Sequence, residues 1–321
     1  MTQIIFVGGA AGIVGALLFA SVVSGSVLSV FLFYLSPLPI MIAALGWNHR
    51  AGLTGAIVGS ACLIVALGGY FFLAFLIAIG LPAWWLGYLT LLARGHRAGD
   101  SLEWYPVGRL VLWSAVIASI VVIAAVPQFG LDLQTFQAGL RKAFEHFLEA
   151  QTGSDAPSDL PGVSDPAWLV DFLVLTAFPA AAVVSTLVLT FNLWLAASVV
   201  RISGRLTRPW PDIPTMTFPK FAPGLIAGAL ACSLLPDLIG TASSIFAASL
   251  LMAYTLLGFS VLHALTREMR SRGLVLATTY AAVFLLRWPV LIMPVLGLAD
   301  AIFNLRARFG SRLGRPPVRP Q

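Results

Sequence analysis

Five polar side chains stand out because they interrupt apolar stretches of the sequence: Arg287, Asp300, Asn192, His263 and Asp237. A charged group at membrane depth costs a few kcal/mol, so such residues are candidates for ligand binding unless a partner compensates the cost. Arg287 and Asp300 lie near enough in sequence to offset each other's burial as an ion pair. Such a pair could hold two parts of the fold together as readily as it could form a ligand site.

The other three residues also have structural alternatives. The amide of Asn192 and the imidazole of His263 can make hydrogen bonds between helices, which is more usual than contact with a substrate. Asp237 follows Pro236 near the end of an apolar stretch, where its carboxylate can simply be solvated.

Motifs for catalysis are missing from the sequence. It contains no H-E-x-x-H, C-x-x-C or G-x-S-x-G pattern, and its four histidines are scattered. We therefore expect that the protein is not an enzyme and uses no metal or cofactor. A G-x-x-x-x-G-K-[ST] phosphate loop is also missing, so any energy from ATP would come from a partner.

The composition indicates that lipid surrounds most of the chain. Of 321 residues, 59% are apolar and 10% are charged, against about 25% charged in soluble domains. These values exclude an ordinary soluble enzyme, a disordered chain and a disulfide-rich scaffold. The fold class predicted is an all-α, polytopic transmembrane helical bundle. The basic residues form short clusters between apolar runs rather than one stripe, which argues against nucleic acid as a partner.

A spanning helix needs about 20 apolar residues, and this length divides the chain into eight predicted spans. They cover residues 4–23, 27–46, 51–68, 70–93, 107–126, 167–200, 222–238 and 244–264. The region 273–303 is too short for two full spans, and we favour a short hairpin with its turn at Arg287-Trp288-Pro289 over one span. The prediction is thus eight to ten spans in a single membrane domain over 1–306, with a basic cytoplasmic tail over 307–321.

Loop charges predict the orientation. Before residue 273, eleven Lys and Arg residues fall in the loops that would be cytoplasmic, while the outer loops there hold only Arg141 and Lys142. By the positive-inside rule the amino terminus is cytoplasmic, and a bacterial inner (cytoplasmic) membrane is the expected location.

Two segments between spans have a predicted structure of their own. Residues 127–166 form an extracytoplasmic loop in which apolar residues recur every three or four positions, predicting an amphipathic helix over 131–150. That helix could be a lid packed on the ends of other helices or could lie in the lipid interface. The second segment, Arg208–Pro219, is rich in proline and predicts an ordered cytoplasmic strap.

Small residues follow four-residue spacing in the first span, at Gly8, Gly12, Ala16 and Ala20. Such spacing lets two helix backbones approach closely in lipid. These residues are candidates for helix packing within the protein or for contact with a partner.

Three sequence patterns together resemble the YybS-like family of bacterial multi-spanning membrane proteins of unknown function. They are the Gly-rich first helix with Phe33-Tyr-Leu-Ser-Pro-Leu-Pro39, the strap start Arg208-Pro-Trp-Pro, and Leu296-Gly-Leu-Ala-Asp300-Ala-Ile-Phe-Asn-Leu-Arg306. The resemblance covers nearly the whole chain. That family is similar in helical layout to the substrate-binding subunits of energy-coupling-factor transporters.

The resemblance implies a mechanism in which the chain captures a small nutrient while a membrane coupling protein with ATPases drives its release. Ala16-Leu-Leu-Phe-Ala20 has the form of the alanine pair that makes the coupling contact in such subunits. We therefore expect a membrane protein that binds or translocates a small solute. The alternative is a non-transporting scaffold or assembly factor for envelope proteins.

Overall fold

The computed structural model describes residues 1–95, 102–152, 166–286 and 288–310. Arg287 and most of the predicted tail therefore lie outside the described residues, as does most of the Gly- and Ser-rich loop after residue 152. The described chain is overwhelmingly helical, and its only strands are the two-residue β1 (Ala93–Arg94) and β2 (Glu103–Trp104), paired antiparallel. The all-α fold class is confirmed.

The first ninety residues fold into six helices. They are α1 (Thr2–Ala20), α2 (Val27–Tyr34), α3 (Pro37–Gly46), α4 (His49–Leu67), α5 (Gly69–Phe75) and α6 (Leu81–Thr90). A 3-10 turn, Ser21–Ser24, extends α1, and a π turn, Leu76–Gly80, joins α5 to α6. The second predicted span consists of α2 and α3 in succession, because Pro37 suits the first turn of a new helix.

The remaining described residues form eight helices. They are α7 (Val107–Ala125), α8 (Leu133–Thr152), α9 (Pro166–Ile202), α10 (Ala222–Cys232), α11 (Asp237–Leu265), α12 (Arg272–Leu286), α13 (Ile292–Phe303) and α14 (Leu305–Gly310). The predicted tail over 307–321 begins inside α14. Single 3-10 turns cover Val126–Gln128, Ile213–Thr215 and Trp288–Leu291.

Seven helical segments of the described chain are long and apolar enough to cross a membrane. They cover Thr2–Ser24, Val27–Gly46, His49–Leu67, Gly69–Thr90, Val107–Gln128, Trp168–Ile202 and Asp237–Leu265. The extent predicted for the span over 222–238 was wrong. There α10 ends at Cys232, and its 11 residues reach only ~16 Å. A turn ending at Pro236, followed by Asp237 at φ 66°, breaks the apolar run and starts α11.

The carboxyl-terminal helices are short, as the hairpin prediction requires. With 15 and 12 residues, α12 and α13 are ~22 Å and ~18 Å long, below the ~30 Å of a bilayer core. Helix α12 begins seven residues after the end of α11. After α13, Asn304 and Arg306 lie beside Ala264 and Leu265 at that same end of α11. The chain therefore returns to the end from which α12 departs.

Contacts divide the chain into two compact units. Unit 1 comprises residues 1–114, 186–223 and 252–321, and unit 2 comprises residues 115–185 and 224–251. The extent of the single domain predicted over 1–306 stays a prediction.

Close glycine contacts hold the first helices of unit 1 together. Gly8 lies against the carbonyl of Ala51, and Gly12 lies against the carbonyl of Gly55, so neither site has room for a Cβ. Gly12 lies four residues after Gly8 in α1, and its contact Gly55 lies four residues after Ala51 in α4. The two helices therefore run parallel. The contact is between backbones, as small residues permit in lipid.

Unit 2 contains the amphipathic helix that the sequence predicted, as α8. Phe136 and Leu140 on its apolar face are buried against Val122, Phe178 and neighbouring side chains of α7, α9 and α11. Outside this core, Arg141 forms an ion pair with Asp171 of α9. This part of α8 is packed on other helices, which favours the packed alternative over a helix lying in lipid.

The start of α8 is fixed by a side-chain cap. Asp132 accepts hydrogen bonds from the backbone N–H of Thr135 at 2.9 Å and from its hydroxyl at 2.8 Å. These bonds hold the pKa of Asp132 below its ordinary value, because they stabilise the carboxylate. The cap sets where the amphipathic helix begins after the turn at Gly130.

Substitution of Gly12 tests the contact between α1 and α4. We expect Gly12→Leu to destabilise the protein by about 3 kcal/mol or more, because its side chain must displace the backbone of Gly55. Gly9→Leu on the same helix enters open space and should leave the unfolding midpoint in detergent nearly unchanged. An equal shift of the midpoint in both variants would contradict the contact.

Candidate functional site

The strap predicted over Arg208–Pro219 is part of the longer connection between α9 and α10, residues 203–221, and from here on we call this whole connection the strap. It carries a buried arginine. Arg208 is only 8% exposed, and its guanidinium donates hydrogen bonds to two backbone carbonyls. Nη2 lies 2.8 Å from the oxygen of Tyr105, and Nη1 lies 3.3 Å from that of Thr90. Burial lowers the pKa of Arg208 from its ordinary value because desolvation disfavours the charge. Arginine nevertheless stays protonated in proteins.

Further contacts tie the strap to the ends of α11 and α13. Ile213 accepts a hydrogen bond from the Ser260 hydroxyl at 2.8 Å, and Pro214 accepts one from Arg306 at 2.8 Å. Asp212 forms an exposed ion pair with Arg267 at 3.1 Å. The strap thus connects the loop before α7 with the ends of α11 and α13.

A cavity of about 420 Å³ lies under the strap in unit 1, and we call it the strap cavity. Its aromatic lining includes Phe191 and Trp194 of α9 and Phe259 of α11. Its ionisable lining residues are Arg208, His263 and Tyr280, with no aspartate or glutamate among the described residues that line it. The site is therefore largely apolar, with one fixed positive charge.

His263 and Tyr280 form a pair at the cavity wall. The Nε2 atom of His263 lies 2.8 Å from the hydroxyl of Tyr280, joining α11 to α12. The ring of Phe259 stacks on that of Tyr280 with centroids 5.5 Å apart and planes 5° from parallel. Tyr280 is therefore held from two sides in a defined position.

Of the four described residues among the five proposed from the sequence, His263 alone lines this cavity. Asn192 is buried and joins α9 to the end of α2, since Nδ2 donates to the carbonyls of Tyr34 at 2.9 Å and Val188 at 2.8 Å. Asp237 is exposed in unit 2 at the start of α11. Arg287 falls outside the described residues.

Asp300 is buried in an ion pair with a residue that follows it in the chain. It is 5% exposed, and its carboxylate accepts from Arg306 Nη2 at 2.6 Å, Nε at 3.0 Å and the backbone N–H at 3.1 Å. Asn304 at φ 51° makes the turn that brings Arg306 back. The structure thus gives Asp300 a partner in Arg306, and this pair closes the end of α13. The pair with Arg287 that spacing suggested lies outside the described residues and stays a prediction.

The small-residue positions of α1 are mostly covered by unit 1 itself. Gly8 and Gly12 lie against α4, Ala16 is buried, and Ala20 is partly buried. Gly8 and Gly12 therefore serve helix packing within the protein. Little of the alanine pair is left on the surface for contact with a coupling protein.

The residues that sequence reasoning missed are Arg208, Ser260 and Tyr280. Arg208 lay in a loop whose basic residues all fit the positive-inside rule, so nothing marked it as buried. Its place among Pro209 and Pro211 was the one available signal, because a proline-rich segment is often ordered. Ser260 and Tyr280 are ordinary residues of membrane helices and carry no such mark.

Seven apolar segments and buried polar groups define a multi-spanning helical membrane protein. A family model described as "Predicted membrane protein (DUF2232)" matches residues 13–301, and the chain belongs to this family, whose function is unknown. The predicted membership of a multi-spanning family of unknown function is confirmed. No curated protein and no solved structure gives a significant match. The likeness to energy-coupling-factor subunits stays a prediction.

Breaking the pair of Asp300 and Arg306 tests whether it closes the end of α13. We expect Asp300→Asn to lower the free energy of unfolding in detergent by about 3 kcal/mol, because it leaves the buried charge of Arg306 poorly compensated. Asp212→Asn removes the exposed pair with Arg267 and should cost at most about 1 kcal/mol. Equal losses of stability in the two variants would contradict the difference in burial.

Proposed function

We propose that the protein binds a small, largely apolar solute in the strap cavity and that this binding serves its movement into or across the membrane. The observation that carries the proposal is the cavity itself. Its volume of about 420 Å³ falls in the range of roughly 300–1,000 Å³ that is typical of ligand sites. Its few polar groups converge on an apolar space, as they do in sites that orient a ligand.

The orientation that we propose places the strap at the cytoplasmic end of the membrane. Helix ends that meet at the strap carry most of the basic loop residues, which the positive-inside rule assigns to the cytoplasm. They include Arg201, Arg205, Lys220, Arg267, Arg272 and Arg306. Arg205 packs over Trp47 just before α4, and α1 runs parallel to α4. This arrangement supports a cytoplasmic amino terminus in an inner membrane.

A coupling protein with ATPases is the energy source that the resemblance implies, and it remains part of this proposal. The alanine pair Ala16 and Ala20 is a weak candidate for its docking point, since Ala16 is buried among the first helices. A coupling protein would have to contact other exposed surface.

A scaffold for envelope proteins is the second candidate function. It is favoured by the small-residue face of α10, where Gly224 and Gly228 border open space rather than another helix. Mild-detergent pulldown of wild-type protein would then yield a stoichiometric partner, and Gly228→Leu would lose it. Gly12→Leu cannot serve this test because it disrupts packing within the chain.

Topology reporters test the orientation and the hairpin together. We expect a reporter fused after Gln321 to be cytoplasmic and on the same side as one inserted at Arg270, because the end of α13 returns to the end of α11. A reporter at Ser158 in the predicted outer loop should face the opposite side. A carboxyl terminus on the same side as Ser158 would contradict the hairpin.

Filling the strap cavity tests whether it holds a solute. Ala197 lines the cavity on α9, and Val199 lies on an exposed part of the same helix. We expect mass spectrometry of small molecules retained by the purified protein to find a species that Ala197→Trp depletes at least about tenfold, because the indole occupies its space. Val199→Trp should retain it. Equal retention by all three proteins would contradict the proposal.

A further inference from the structure

The positive charge of Arg208 is buried beside the strap cavity without a carboxylate partner among the described residues. Its two hydrogen bonds go to the carbonyls of Thr90 and Tyr105, which carry only partial charge. A guanidinium has five N–H donors in a planar fork that matches a carboxylate or a phosphate. Three donors therefore remain after the two bonds that the structure gives.

The other charged groups near the cavity do not neutralise Arg208. Asp212, the acidic residue of the strap, is paired with Arg267. Arg201 lies over the ring of Trp210, which lines the cavity, at 4.6 Å from the ring centroid and adds to the positive side. His263 and Tyr280 bond to each other, and Ser260 donates to the backbone of Ile213. Buried charges in proteins are normally paired, so the chemistry of this lining favours an anion as the partner of Arg208.

The apolar side of the cavity reaches the lipid-facing surface. Phe191 and Trp194 line the cavity on α9, yet each is 47% exposed. On a helix that crosses the membrane, exposed aromatic side chains of this kind contact lipid tails. A ligand can therefore place its charged end beside Arg208 while its apolar body follows these rings toward the bilayer.

We infer that the ligand of the strap cavity is an amphipathic anion, with a carboxylate or phosphate on Arg208 and an acyl-like body against Phe191, Trp194 and Phe259. This inference rests on the proposed function and specifies its substrate class. The same chemistry belongs to a free fatty acid and to an anionic phospholipid of the bilayer. The two sources differ in headgroup and in number of chains, so binding measurements separate them.

The first experiment compares charged with neutral ligands of similar shape, using the full chain in phosphatidylcholine nanodiscs. Binding of oleate is measured against methyl oleate by quenching of tryptophan fluorescence, and phosphatidylglycerol is measured against phosphatidylcholine by native mass spectrometry. We expect the acidic member of at least one pair to bind at least about 30-fold more tightly, as a desolvated charge pair requires. Selectivity for oleate alone indicates a free acid, and selectivity for phosphatidylglycerol alone indicates a bilayer lipid.

The second experiment removes the charge. Arg208→Gln should abolish the preference for the acidic ligand, while Arg205→Gln, on the same strap but packed over Trp47, should keep it. If Arg208→Gln fails to fold, the comparison of charged and neutral ligands on wild-type protein still decides the question.

The outcomes separate the two proposals. Equal binding of acidic and neutral ligands would overturn the inference of an anionic ligand, and unchanged selectivity in Arg208→Gln would overturn Arg208 as its partner. Either result leaves a solute in the cavity. A retained molecule that carries no acidic group would likewise overturn the anionic ligand. If wild-type protein binds none of the four probes and Ala197→Trp depletes no retained species, the proposed function itself is wrong.

Discussion

The buried guanidinium of Arg208 is the interaction on which the arrangement of unit 1 depends. Helix ends leave carbonyls without partners, and burying them beneath a loop requires donors from elsewhere. Arg208 supplies such donors to Thr90, the last residue of α6, and to Tyr105, just before α7. The guanidinium thus satisfies both carbonyls where the strap crosses them. The rest of the strap repeats the principle, since its own carbonyls accept from Ser260 and Arg306.

Much of the fold could be predicted because lipid imposes one strong rule on sequence: a crossing helix needs about 20 apolar residues. That rule located seven segments, and it failed at α10, where hydropathy continues through a turn. The helix ends at Cys232, and a turn leads through Pro236 to Asp237 at positive φ, although Leu234 and Leu235 keep the turn itself apolar. The amphipathic pattern of α8 predicted a helix correctly but could not say what covers its apolar face, because a core and a lipid surface demand the same residues.

The site was less predictable because its chemistry depends on burial and on chain direction. Spacing suggested Arg287 as a partner of Asp300 and gave no sign of Arg306, six residues after Asp300, with which the structure pairs it. The left-handed backbone of Asn304 decides this, since it folds the chain back over the end of α13. Asn192 was singled out for being polar at membrane depth, and its amide proves to bridge two helices. A polar residue in an apolar run indicates that a partner exists, but not whether that partner is a carbonyl or a ligand.

Arg205 and Arg208 show how one class of residue serves two purposes on the same strap. Both count equally in the positive-inside rule, which depends only on the side of the membrane. Arg205 lies over the ring of Trp47 and donates to the carbonyl of Gly46, so its charge stays near solvent and its energetic role is small. Arg208 is enclosed by the strap and borders an apolar cavity, where the same charge interacts far more strongly because water is excluded. In the proposed orientation both arginines lie at the cytoplasmic end of the membrane, and local packing determines which of them borders the cavity of the proposed ligand.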